Sequence, residues 1–379
     1  MSAPHVVVAG AGPVGLTAAL TLARRGVTVT VLEQGAELAT ESRASTFHPP
    51  TLEMLDRLGV VRTLLDRGII ASTFQYRDRR GGEIATLDLA VLAEDTAFPF
   101  RVQCEQSRLT PILLDALPPG VEVRFGHRVH DLTAVGDSVL VYTDRVALRA
   151  DWVIGADGAH SAVRRALGAA FDGTTYPERF LVASVDEDLD AALPGIALIN
   201  YVFDPREWLV LLRTPQHWRV LLPTPADTPD EVESARLPER LRDVADLGRP
   251  WRILHASLYR VHQRVTDRFR IGRVLLMGDA AHVNNPLGGL GMNSGIHDAV
   301  AMATALADVL EGAPDDLLTA AARRRRTVAV DHVQRTSHDN WSRLRADDAA
   351  EHDRLRALAA DPAASRAYLR RACLIDSLS

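Results

Sequence analysis

The residues of this chain with the clearest chemical potential are glycines set beside carboxylates. Gly10-Ala11-Gly12-Pro13-Val14-Gly15 puts three glycines at G-x-G-x-x-G spacing, and Glu33 follows 18 residues beyond Gly15. Such glycines let the backbone turn tightly and approach a pyrophosphate, helix-terminal N–H groups face its charge, and the acid accepts from a ribose hydroxyl. A glutamate at that place repels a ribose phosphate, so the nucleotide it suits is FAD or NAD rather than NADP. Two further clusters follow. Trp152-Val-Ile-Gly-Ala-Asp157-Gly158-Ala-His160-Ser161-Ala-Val163-Arg164 reads as a buried strand meeting a helix start, with Ser161 as N-cap. Arg273-Val-Leu-Leu-Met-Gly278-Asp279 repeats the design. It leads into Pro286-Leu-Gly288-Gly289-Leu290-Gly291-Met292-Asn293-Ser-Gly295 and a helix through Leu310.

The elements that must position these residues are partly legible. His5 to Ala9 is apolar without alternation, as a parallel strand buried on both faces should be. A helix is expected from Pro13 to Arg25, stopped at Gly26, then a strand from Val27 to Leu32 that ends on Glu33. The charge-free run Val6 to Ala23 is not expected to enter a membrane, because Gly10, Gly12, Pro13 and Gly15 interrupt it and no arginine precedes it. An NAD dehydrogenase would continue with further strand–helix–strand units. Here Arg43 to Gly59 leads instead to an antiparallel-looking stretch around Phe74 to Leu89. Ile196 to Phe203, Trp208 to Arg213 and Trp218 to Leu222 read as three strands joined by turns, an antiparallel meander suited to a wall or lid. On it Asn200, Tyr201, Arg213, His217 and Arg219 are candidates to face a ligand, although alternation alone does not say which face is the ligand's. The tail is helical and polar. Its run Arg323 to Arg326, beside Asp315, Asp316 and Asp331, is expected to be a solvated helix face.

Composition removes whole classes of chemistry. All 43 basic residues are arginine, so no lysine is present for a Schiff base or for a G-x-x-x-x-G-K-[ST] phosphate loop. Coding bias in a G+C-rich genome accounts for most of that usage. A net charge of −6 gives no nucleic-acid footprint, and two cysteines, Cys104 and Cys373, cannot build a disulfide framework. No closely spaced Cys or His set has metal-ligand spacing, and a reduced, cytoplasmic setting is expected.

The three motifs, in this order and at positions 10, 155 and 278, resemble the single-component FAD-dependent aromatic hydroxylases, the group typified by p-hydroxybenzoate hydroxylase, from about residue 5 to 335. The resemblance implies an α/β fold: a discontinuous Rossmann-like FAD-binding domain (1–73, 98–173 and 268–335), an antiparallel or mixed β-sheet substrate domain (74–97 and 174–267), and C-terminal helices (336–379). It leaves no room for the extra C-terminal domain of larger family members. It implies FAD, NADH or NADPH as transient reductant, and dioxygen, with hydroxylation of an aromatic small molecule through a flavin hydroperoxide in a monomer or homodimer. Gly10, Gly12, Pro13, Val14, Gly15 and Glu33 would then hold the adenosine half, with Arg43 and Gln106 along the dinucleotide. Asp157 would link FAD and NAD(P)H binding, and Gly278 and Asp279 would meet the ribityl chain. Physical sense agrees: ribityl hydroxyls are donors that want a carboxylate. The Gly288-Gly289-Leu290-Gly291 run would bring backbone N–H groups near the ring's pyrimidine edge, where charge develops on reduction, with Met292 and Asn293 completing the cofactor site and Pro286 stiffening the approach. For a base that deprotonates or polarises a phenol, His48, Tyr76, Tyr201 and His217 are the candidates. A same-scaffold epoxidase or reductase acting on an isoprenoid-type substrate is the alternative. A halogenase is disfavoured by the missing W-x-W-x-I-P signature and the absent lysine.

Overall fold

The computed structural model of the chain describes residues 4–41, 44–346 and 348–378. The fold is mixed α/β. His5–Ala9 forms the middle of a six-stranded sheet, pairing in parallel with Thr28–Leu32 on one side and Trp152–Gly155 on the other. Beyond Trp152–Gly155 lies Val274–Leu276, so the sheet brings the ends of the three glycine–carboxylate segments side by side. Val6, Val7 and Val8 have no exposed surface, which is why the run lacks alternation. The helix after the first strand is Pro13–Ala23, shorter than the expected reach to Arg25; Arg24 caps it, and Gly26, at φ +76°, turns the chain into the next strand.

An eight-stranded sheet carries the other half of the molecule. Its order is His282–Val283, Ile253–Thr266, Phe171–Val185, Trp218–Pro225, Leu209–Arg213, Ile199–Phe203, Thr73–Asp78 and Gly82–Asp88. The expected meander forms its middle. Its first strand starts at Ile199 rather than Ile196, because the Asn200 amide folds back on Ala197: Nδ2–H donates to the carbonyl at 2.6 Å and Oδ1 accepts from the N–H at 3.2 Å. The long outer strands Phe171–Val185 and Ile253–Thr266 and the helix Asp230–Val244 were not apparent from the sequence. That helix covers one sheet face, where Leu237, Leu241 and Val244 pack with Trp218, Leu211 and Val220. The opposite face, bearing Phe74, Tyr76, Tyr201 and Phe203, is covered by Leu344, Leu355 and Leu369 of the C-terminal helices Arg335–Ala346, Ala349–Ala360 and Pro362–Ala372. Among the described residues no helix is long and apolar enough to cross a membrane.

Candidate active site

At the end of the first strand the three glycines do different work. A Cβ on Gly15 would lie 1.9 Å from the Gly10 carbonyl oxygen, and one on Gly10, at φ +104°, would lie 2.4 Å from the Ala156 carbonyl oxygen. Gly10 and Gly15 are therefore required by the protein's own backbone. Gly12 is not: nothing lies within 4 Å of its would-be Cβ, so the space its missing side chain leaves is open for a ligand to approach the backbone. Pro13 and Val14 open the helix behind it, and Val14 packs against Gly278 and Gly295, where a Cβ would come within 2.8 and 2.7 Å of its side chain. Glu33 stands at the end of the neighbouring strand. Its Oε2 accepts from the Ala11 N–H and its Oε1 from the Gly35 N–H, both at 2.8 Å, which fixes the carboxylate while each oxygen keeps capacity for a ribose hydroxyl.

The Gly278-Asp279 turn is held by a residue that no sequence motif marks. Asp298 is fully buried on the helix Leu290–Leu310. Its Oδ2 accepts from the Gly278 N–H at 3.1 Å and lies 2.8 Å from His282 Nε2, and its Oδ1 accepts from Arg325 Nε at 2.7 Å. Burial alone would raise this acid; Arg325 and His282 beside it hold it below the usual aspartate value. The expectation that Arg323 to Arg326 is a solvated face therefore holds for Arg323 and Arg324 only. Arg325 is 3% exposed and Arg326 donates to the Thr266 carbonyl. Leu318, Ala322, Arg325 and Ala329 recur at helical spacing on one buried stripe, and that periodicity was the readable signal. Asp279 itself is exposed.

The glycine run begins the helix Leu290–Leu310, with Gly289 as its left-handed N-cap at φ +67° and no side chain capping the first turn. Its N–H groups are left for another acceptor. Asn293 clamps the run from inside the helix: Oδ1 accepts from the His48 N–H at 2.9 Å, while Nδ2 donates to the Thr46 and Gly289 carbonyls. His48 is fully buried, and its Nε2 donates to the Gly288 carbonyl at 2.9 Å. Desolvation, with Arg101 nearby, pushes its pKa well below 6.5, so the ring is neutral and braces the loop. Pro286 accepts from the Gly289 N–H, closing the turn before the helix.

Asp157 accepts from the Ala162 and Val163 N–H groups at 2.7 and 3.1 Å and from the Ser161 hydroxyl. Its carboxylate thus caps the short helix Ala162–Ala166 together with Ser161, whose Oγ accepts from the Arg164 N–H. Gln106 opens the helix Gln106–Asp115 and is half-buried, its N–H donating to the Ala44 carbonyl. Arg43 lies outside the described residues.

Beside the glycine run a narrow cavity opens between the sheet and the C-terminal helices. Phe74, Tyr76 and Tyr201 line it from the sheet, Tyr368 and Ala372 from the helix Pro362–Ala372, and Gly288, Asn340 and Arg101 close it. Tyr76 and Tyr201 are register partners on adjacent strands, so both rings leave the same face. Burial raises the pKa of both, well above 10.0 for Tyr76, so they act as neutral hydroxyls. Tyr76 and Tyr368 share a hydrogen bond of 2.7 Å, with Arg343 3.3 Å from each hydroxyl. Two ligand-facing candidates belong elsewhere. Asn200 pairs with Gln75 and Leu211 and Arg213 pairs with Trp218, which puts both on the opposite sheet face. Arg219 shares the cavity's face but sits further along it, buried near Tyr259 and Glu105, and His217 lies 3.6 Å from Glu105. Neither lines the cavity. Arg101, Tyr368 and Asn340 were missed because their place depends on tertiary packing, and no local pattern marks them.

His297, one turn past Asn293, bonds the Thr51 hydroxyl at 2.9 Å, and burial lowers its pKa from 6.5 to about 3. With His48 it makes two histidines held neutral by the fold. Both take up a proton more readily when unfolded, so their contribution is complete above 6.5 and is lost as pH falls below it, for His297 down toward 3. The expected slope is about 1.4 kcal/mol per pH unit for each ring. Urea titrations of His297→Gln between pH 6 and 5 should show a pH slope shallower by about that amount; an unchanged slope would refute the assignment.

Comparison with known proteins agrees with this geometry. The model of the FAD binding domain family matches residues 4–336. The para-nitrophenol 4-monooxygenase of Pseudomonas sp. (strain WBC-3) is 36% identical over 378 residues, covering 96% of this chain and 93% of that protein. The 6-hydroxy-3-succinoylpyridine 3-monooxygenase of Pseudomonas putida is 35% identical over 90% of this chain and 88% of its own length. Among solved structures, p-nitrophenol 4-monooxygenase from Pseudomonas putida DLL-E4 superimposes with a TM-score of 0.94 at 34% identity, covering 99% of this chain and 98% of that one. Aklavinone-11 hydroxylase, solved with FAD and aklavinone, gives 0.82 at 27% identity over 91% of this chain and 70% of its own.

Proposed function

We propose that this chain, which belongs to the FAD-dependent aromatic hydroxylases, uses NADH or NADPH and dioxygen to hydroxylate a single-ring phenol. The observation that carries the substrate reading is Gly288: its carbonyl is held by His48 on the glycine-run side, and the same residue walls the aromatic cavity. A flavin ring edge at that run would therefore border the space for the substrate.

The residues present fit FAD. Gly12 leaves open space where a pyrophosphate would approach, Glu33 retains acceptor capacity, Asp279 is exposed, and the Leu290–Leu310 helix offers uncapped N–H groups. Gly10, Gly12, Gly15 and Glu33 would hold the adenosine half, and Asp279 the ribityl hydroxyls. Gly289, Leu290, Gly291 and Met292 would meet the pyrimidine edge with their backbone. FAD supplies hydride acceptance and activation of dioxygen. The chain's own residues bind, orient and keep dry. Asn293 and His48 fix the glycine run, Asp298 fixes the Gly278-Asp279 turn, and the C-terminal helices close the cavity against water, which would waste the activated oxygen. Tyr76, Tyr201 and Tyr368, kept protonated or paired, supply hydroxyls to orient the phenol's oxygen.

The name p-nitrophenol 4-monooxygenase belongs to relatives; the aromatic lining of the cavity is what supports a ring-bearing substrate here. The test is a panel of phenols with the purified yellow protein. Oxygen uptake and NADH or NADPH oxidation should rise at least about tenfold with a single-ring phenol. Stimulation by ring-free alkenes and by no phenol would overturn the reading.

A further inference from the structure

Arg101 is a buried cation with no carboxylate partner among the described residues. It is 2% exposed, on the strand Arg101–Gln103, and lines the cavity together with Gly288 of the glycine run. Its guanidinium lies 4.5 Å from the centroid of the Phe74 ring, and Nη2 donates to Cys373 Sγ at 3.6 Å. Nε, fully buried, has no hydrogen-bond partner. The groups that face it are the Cys373 sulfur, the Tyr201 and Tyr368 hydroxyl oxygens, and the His48 ring held neutral by burial, and none of them is a carboxylate. Among the described residues no carboxylate lies within ion-pair distance, whereas buried Arg325 pairs with Asp298 and buried Arg240 with Glu207 and Glu233. A buried guanidinium left without a counter-ion is costly.

We propose that the counter-ion is the substrate: Arg101 anchors an acidic phenol bound as its phenolate. This rests on the hydroxylase reading above and deepens it. A planar fork of N–H donors suits an aromatic oxyanion at the edge of a ring stacked among Phe74, Tyr76 and Tyr201, and always carries its charge. The phenol's proton leaves to solvent on binding. The ring that reaches the reaction zone is then already electron-rich, which answers the absence of a carboxylate or charged histidine base from the cavity lining.

The probes are 4-nitrophenol, whose anion is yellow, and 4-methylphenol, which stays neutral, each titrated into the holoenzyme and into Arg101→Gln at a pH below the nitrophenol's solution pKa. The wild type should show the phenolate band on binding 4-nitrophenol. Arg101→Gln should bind it about tenfold to a hundredfold more weakly and without that band, the loss of one charged hydrogen-bonding partner. Its affinity for 4-methylphenol should move by less than about threefold, its FAD content should be unchanged, and its melting temperature without ligand should not fall. Arg101→Lys should keep the band at reduced affinity. A wild type that binds 4-nitrophenol colourless or not at all, a variant that keeps the band, or a variant that loses FAD instead would each overturn the proposal. Stimulation of NADH or NADPH oxidation by 4-methylphenol in the same samples reads the hydroxylase function separately, so the two can fail independently.

Discussion

Gly12→Val is expected to give a folded, colourless protein. The backbone at Gly12 sits at φ −74° and ψ 178°, ordinary extended values that valine adopts freely. Nothing in the protein lies within 4 Å of a Cβ there, so a side chain can start from this position without meeting the fold. A pyrophosphate would have one, since the branched methyl groups occupy the surface it must approach. FAD affinity should fall at least about a hundredfold, roughly 2.7 kcal/mol, with circular dichroism and melting temperature of the apoprotein close to wild type. Gly15→Ala is the contrasting control. Its Cβ would overlap the Gly10 carbonyl, so it should lose flavin and fold together. If Gly12→Val copurifies with a full complement of FAD, the assignment of that space to the cofactor is wrong.

Asp298→Ala should be the most destabilising single change near the site. It leaves Arg325 buried without its partner and removes acceptors from His282 and from the Gly278 N–H at once. Breaking a buried pair from one side costs about 3–5 kcal/mol, enough to depress the melting temperature by many degrees and to release the Gly278-Asp279 turn. Because the cost is that of an orphaned charge, Asp298→Ala with Arg325→Met should recover part of the stability. A double-mutant cycle on urea midpoints measures that recovery. Strict additivity of the two changes would show that the pair is not coupled.

What could be read from the sequence follows what the physics makes local. The first strand, its glycine turn and Glu33 were legible because the backbone itself demands glycine at 10 and 15, and because a strand buried on both faces has no alternation. Ser161 was legible as an N-cap for the same reason. The cavity was not. Whether Tyr201 or Asn200 faces the ligand is a question of register across the sheet and of which face the C-terminal helices cover, and neither is written in one strand. Arg325 was hidden by its neighbours: four consecutive arginines read as a solvated face, while the buried stripe through Leu318 and Ala322 argues otherwise. Arg101 was hidden by abundance, one arginine among 43, and its significance lies in what does not face it.

The central claim is that this chain places one oxygen atom from dioxygen on an aromatic ring. It is tested most directly by turnover of a stimulating phenol under 18O-labelled dioxygen in ordinary water, with the product read by mass spectrometry. One labelled oxygen per product ring, with NADH or NADPH consumed in step, is the predicted result; a product carrying only oxygen from water, or reductant consumed with no ring oxygenation for any phenol, would contradict it.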